Sequence, residues 1–124
     1  MMVETVLWQR FEGAILFGAG LLLFWHGNGS IPWWGALPAF FAPDLSFLGY
    51  LLGAKTGAFI YNAVHIYGFG AAVLAIGLLA QAPLLAGFGW LWIAHAGFDR
   101  MLGYGLKLPE GFDHTHLGRI GKRR

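Results

Sequence analysis

Four apolar stretches, separated by breaks of only a few residues, leave this chain few ways to fold. They cover residues 5–25, 32–52, 56–79 and 84–104. Each is long enough to cross a bilayer as a helix, which takes roughly 20 mostly apolar residues. The breaks are Gly27-Asn-Gly-Ser30, Lys55 and Gln81-Ala-Pro83, a set of turn formers and one charge. Links this short force neighbouring helices to run antiparallel. Only 11% of the chain is charged and 57% is hydrophobic, with a mean hydropathy of +0.60. Soluble domains carry about 25% charged residues. The expected fold is therefore all-α: an antiparallel bundle of four transmembrane helices over residues 1–106, followed by a short polar, basic tail over 107–124.

Charge placement sets the orientation. In this topology all eight Lys and Arg residues fall on one side: Arg10, Lys55, Arg100, Lys107, Arg119, Lys122, Arg123 and Arg124. The turns at 27–30 and 81–83 carry none. The positive-inside rule then puts both termini in the cytoplasm. Glu4, Arg10 and Glu12 interrupt the N-terminal apolar run, and no small-residue cleavage site follows it. That end reads as a retained helix rather than a signal peptide. Trp33 and Trp34, and His26 beside Trp25, suit the membrane interface. The absence of Cys removes thiolate metal sites, disulfides and Cys nucleophiles. No P-loop, dinucleotide fingerprint or Ser/His/Asp signature is present. The 20 glycines, among them Gly49, Gly53 and Gly57 at four-residue spacing, read as tight helix packing.

The exceptions to apolarity are informative, because an ionisable residue near the bilayer centre costs ~2.5–3.5 kcal/mol on insertion scales. At 1.5 Å per residue, these groups share a depth inside the cytoplasmic edge. Glu12 lies roughly 7–10 Å in on the first helix, Asp44 about 13 Å on the second, Asn62 and His65 about 10 and 15 Å on the third, and Asp99 and His95 about 7 and 14 Å on the fourth. Asn62 and His65 are three apart, and His95 and Asp99 four apart, so each pair shares a helix face. Pro43 frees a carbonyl and is expected to kink the second helix beside Asp44. Arg100 points away from Asp99, toward Glu12 or Asp44 on a neighbour.

Three readings of this cluster compete. One is a hydrogen-bond and ion-pair network that holds the bundle together. The second is a divalent metal site of Zn or Fe type, for which His and carboxylates are the right donors. Its expected ligands are Asp44, His65, His95 and Asp99. His116, ahead of His114, would fold back from the tail as a further ligand. Glu12, Asn62 and Arg100 are then the candidate catalytic residues. The expected chemistry is hydrolysis of a lipid or amphiphile at headgroup level. The third reading is a proton path, or a haem or quinone site, for which so small a bundle leaves little room. The outer half is almost free of polar groups, which counts against transport. The expected partners are the lipid bilayer, a lipid-like substrate and a second copy of the chain, with no nucleic acid.

Several segments together resemble an uncharacterised family of small bacterial four-helix inner-membrane proteins, a domain of unknown function. They are Arg10-Phe-Glu-Gly13, Phe41-Ala-Pro-Asp-Leu-Ser-Phe-Leu-Gly-Tyr50, Tyr61-Asn-Ala-Val-His65, the run from His95 to Lys107 and Phe112-Asp-His-Thr-His-Leu-Gly118. The resemblance covers nearly the whole chain and implies an inner-membrane location. It supplies no activity. Its motif positions here are Glu12, Asp44, Asn62, His65, His95, Asp99, Arg100, Thr115 and His116.

Overall fold

The computed structural model describes residues 4–27, 31–108 and 111–119. Helix α1 spans Glu4–Gly27, α2 Trp33–Phe41, α3 Ala54–His65, α4 Tyr67–Leu79 and α5 Pro83–Leu102. A 3-10 helix, Ala42–Leu52, continues α2. The protein is thus mostly helical, as its apolar runs demand, but only some of those runs are uninterrupted helices. Glu4–Gly27 and Trp33–Leu52 are long and apolar enough to cross a membrane. The pair α3 and α4 makes a third crossing only if it is counted as one span, bent by 48°. By length and composition the described residues thus provide two crossings, or three with that pair. The exception is α5, which has the length but carries His95, Asp99 and Arg100. Its neighbours cover these groups: all three are buried.

Helix α5 is the axis of the molecule and packs mainly on α1 and α4. Close backbone approach makes this possible. A Cβ on Gly13 would stand 2.5 Å from the Arg100 Cβ and 2.6 Å from the Gly97 carbonyl, so only hydrogen fits where α1 crosses α5. Phe24, Ile31, Phe40, Leu91 and Ala94 form the apolar core alongside. Pro83 opens α5, where its missing N–H costs nothing. Gly103 closes it in the left-handed region (φ 91°). The Gly103 N–H donates to the Arg100 carbonyl (3.0 Å) and the Tyr104 N–H to that of Asp99 (2.7 Å), which is a Schellman closure.

Two interruptions matter for the site. Pro43, fully buried, lies where α2 gives way to the 3-10 helix. It removes a backbone donor and crowds the preceding turn. The expected kink is therefore a change of helix type. The second interruption was not expected from sequence: the 56–79 run breaks at Ile66, whose backbone is extended (φ −80°, ψ 149°).

The tail corrects the purely α expectation. Strands β1 (Lys107–Leu108), β2 (Gly111–Thr115) and β3 (Gly118–Arg119) form a small antiparallel sheet in the order β1-β2-β3. Lys107 pairs with Thr115, and His114 with Arg119. The sheet packs under α3, with Lys107, Thr115 and Leu117 buried. The basic end at 120–124 and most of the turn at 27–30 lie outside the described residues.

Candidate metal centre

Four side chains from three elements converge at one point. Asp44 comes from the first turn of the 3-10 helix, His65 from the last residue of α3, and His95 and Asp99 from successive turns of α5. The Asp44 Oδ1 lies 3.2 Å from His65 Nε2 and 3.1 Å from His95 Nε2. The Asp99 Oδ2 lies 3.6 Å from His65 Nε2 and 3.4 Å from His95 Nε2. All four donor atoms fall within 4.8 Å of one another. His65 and His95 are 0% and 1% exposed and the Asp99 side chain 10%, whereas that of Asp44 is 48% exposed. The centre is thus closed on three sides and reached past Asp44.

The break at Ile66 builds this site. It ends α3 at His65 and frees carbonyls that a continuous helix would use. Side chains of α5 take them: Trp92 Nε1 donates to the Val64 carbonyl (2.7 Å), and an Arg100 terminal nitrogen donates to the His65 carbonyl (3.2 Å). Irregular backbone at membrane depth is tolerated only where protein satisfies it or it lines a cavity. A second Arg100 nitrogen donates to the Tyr104 carbonyl (3.3 Å), and the guanidinium lies over the Tyr67 ring, 5.6 Å from its centroid. Arg100 therefore ties α3 to α5. It does not pair with Glu12 or Asp44 as its spacing suggested.

The His65 ring is oriented from behind. Its Nδ1 lies 2.8 Å from the Tyr61 carbonyl. A carbonyl only accepts, so Nδ1 carries a proton, and a ring with no second proton presents a bare lone pair at Nε2. That lone pair faces two carboxylate oxygens, which are also acceptors. The arrangement needs a cation or added protons between them. A histidine whose far nitrogen donates to a carbonyl is the usual way a metal ligand is held. Charge-assisted N–H···O bonds run about 2.7–2.9 Å. The four His–Asp contacts, at 3.1–3.6 Å, are longer than that. His95 is less constrained: its Nδ1 is buried without a hydrogen-bond partner among the described residues.

The other expected site residues lie elsewhere. Glu12 is exposed on α1 and is not in the four-residue group, so the first helix contributes packing rather than a donor. Asn62 is clamped to β1: its Nδ2 donates to the Lys107 carbonyl (2.8 Å) and its Oδ1 accepts the Lys107 N–H (2.6 Å). His116 is not in the four-residue group. Its Nδ1 accepts the Leu106 N–H (2.8 Å) against Gly105. Desolvation and then the Arg100 charge push its pKa below the usual value. The His114 side chain lies outside the described residues.

Two residues at the site are not among the candidate site residues read from the sequence. Tyr61 stacks on His65 with ring centroids 3.7 Å apart. Its i, i+4 spacing to His65 was a readable signal. Lys107 is buried, with its ammonium 4.9 Å from the Tyr61 ring centroid. No local pattern places it there, because the tail must first fold back. Both line a cavity of about 420 Å³ together with Asp44, Asp99 and Tyr104.

A family model described as "Domain of unknown function (DUF4260)" matches residues 6–120. No curated protein and no solved structure matches the chain.

Proposed function

The chain belongs to the DUF4260 family, a domain of unknown function, and from its own geometry we propose that it is a membrane protein with a divalent metal centre at Asp44, His65, His95 and Asp99. The observation that carries this is the His65 ring, oriented by the Tyr61 carbonyl so that its Nε2 faces two carboxylates. Two neutral imidazoles and two carboxylates suit Zn or Fe(II) and cancel a 2+ charge. The position of His65 at the C-terminal end of α3 adds the negative end of a helix dipole, which also favours a cation.

The best-supported activity is a metal-dependent, hydrolysis-type reaction on a lipid or amphiphile. A bound ion would supply Lewis acidity to a substrate oxygen. The chain's own residues would do the rest. Asp44 borders the cavity and meets the substrate. Tyr61 and Lys107 line the same cavity. Arg100 positions His65 through its carbonyl and touches no substrate. The location proposed is the bacterial inner membrane, with both termini cytoplasmic. Arg10 supports this orientation, since its Nε donates to the Met101 carbonyl (2.9 Å) at the basic end of α5.

A second reading has an observation of its own. A proton on His95 Nε2 can donate to Asp44 at 3.1 Å, and one more proton on Asp99 would satisfy His65. The cluster would then be a structural or proton-holding network with no enzymatic role. Elemental analysis of the purified chain decides between them. The metal reading expects close to one Zn, Fe or Mn per chain, lost in His65→Ala and His95→Ala. Metal-free wild-type protein that cannot be reloaded, together with a large stability loss in Asp99→Ala, would establish the network instead.

A further inference from the structure

Asn62 sits one turn before His65 on α3 and turns to the C-terminal sheet. A side-chain amide carries a donor and an acceptor, as a peptide group does. Asn62 spends both on a single residue 45 positions away: its Nδ2 donates to the Lys107 carbonyl (2.8 Å), and its Oδ1 accepts the Lys107 N–H (2.6 Å). Such a pair fixes both the position and the orientation of β1. The sheet holds the same strand from its other side. Lys107 pairs with Thr115, the Leu106 N–H donates to His116 Nδ1 (2.8 Å), and the His116 N–H donates to the Leu106 carbonyl (3.0 Å).

The strand held in this way reaches the centre through Tyr61. Lys107 is buried, and its ammonium lies over the Tyr61 ring, 4.9 Å from the centroid. Tyr61 in turn orients His65 twice. Its ring stacks on the imidazole at 3.7 Å with 6° between the planes, and its carbonyl lies 2.8 Å from His65 Nδ1. Direct contacts therefore run from Asn62 to Lys107, from Lys107 to Tyr61 and from Tyr61 to His65. Tyr61 and Asn62 are neighbours about 100° apart around the helix, so α3 shows the centre one side chain and the sheet the next. Groups behind a metal-bound histidine set its orientation, and losing one typically weakens binding 10- to 100-fold. We propose that Asn62 is a positioning residue for the metal centre: it docks the C-terminal sheet so that Lys107 packs Tyr61 onto His65, and the ion is held tightly only while the sheet is docked. This rests on the metal reading above and adds to it the part of the chain that controls the site.

The test uses the full chain in a neutral maltoside detergent, with Co(II) and Zn as probes. The visible bands of bound Co(II) report ligand number and geometry. Asn62→Ala should weaken Co(II) binding about tenfold, the lower end of such losses, and shift the bands of the loaded protein. In a Tyr61→Leu background the same substitution should weaken binding by about twofold or less, because two residues on one route are not additive. Wild type gives a check that needs no variant. By linkage, an ion that requires the docked sheet must protect it by the same factor. Zn should therefore slow hydrogen exchange of the Lys107 amide, the donor to Asn62, about tenfold. A clamp that holds only the tail would lower stability and leave the Co(II) bands and affinity unchanged. That result would overturn the proposal, as would tighter binding in Asn62→Ala, or Lys107 exchange indifferent to Zn in protein that carries it. Each of these leaves the metal reading intact. Wild type that takes up neither ion would overturn the metal reading itself, and this proposal with it.

Discussion

Replacing Asp99 by Asn tests the centre most directly, because the change keeps the shape and removes one charge. The carboxylate oxygens of Asp44 and Asp99 lie within 4.8 Å of each other. Two unit charges at that distance repel by about 3.5 kcal/mol at an effective dielectric of about 20. A divalent ion between them attracts each charge by at least that much, so losing one carboxylate costs affinity on this scale. Loss of about 3 kcal/mol corresponds to affinity weakened by roughly 100-fold. An ion present at about 1,000 times its Kd stabilises the folded protein by about 4 kcal/mol. At the same concentration the variant, now at about ten times its Kd, would gain only about 1.4 kcal/mol. The assay is thermal unfolding of detergent-solubilised protein with Zn and with a chelator. The quantity of interest is the difference between these two conditions, not the absolute Tm. A metal-linked gain of equal size in wild type and Asp99→Asn would refute the reasoning. So would a wild type indifferent to Zn, Fe(II) and Mn.

Other residues give independent checks. Arg100→Met should cost about 2–4 kcal/mol, since it strips a charged donor from two carbonyls beside a buried helix break; unfolding by denaturing detergent measures this, and unchanged stability would show that the break closes without Arg100. Gly13→Ala should cost about 1–3 kcal/mol by pushing α1 away from α5, with a parallel loss of metal content if α5 shifts. A variant as stable as wild type would contradict the close crossing. The lowered pKa of His116 makes the sheet pH-dependent. Its neutral ring accepts the Leu106 N–H, so its contribution is complete above the unfolded value of about 6.5 and is lost as pH falls through the lower folded value. Hydrogen exchange at Leu106, corrected for the intrinsic rate, should speed up on acidification in wild type and be fast at every pH in His116→Ala.

Much of the site was legible because helical spacing and depth are properties of the chain itself. His95 and Asp99 at i, i+4 share a face in any helix. Once the segments are stacked antiparallel, a fixed rise per residue brings Asp44 and His65 to the same level. The donor set followed from chemistry, since ionisable groups in apolar helices need partners. Direction around each helix was harder to read. Glu12 has the right depth but is exposed, and Asn62 faces β1 rather than the centre. Depth counting has no term for rotation about the axis.

The sequence alone determined a mostly helical chain with helices long and apolar enough to cross a membrane, and a narrow depth band where polar groups gather. Those depend on hydropathy, length and periodicity, which are local and additive. The break at Ile66, the capture of its carbonyls by Trp92 and Arg100, and the return of Lys107 beneath α3 were decided only in the tertiary structure. No Pro or Gly at Ile66 announces the break. It is stable because donors from α5, some 30 residues away in sequence, satisfy carbonyls that would otherwise be buried unpaired. That same long-range exchange places His65 at a helix end with its Nε2 facing Asp44 and Asp99.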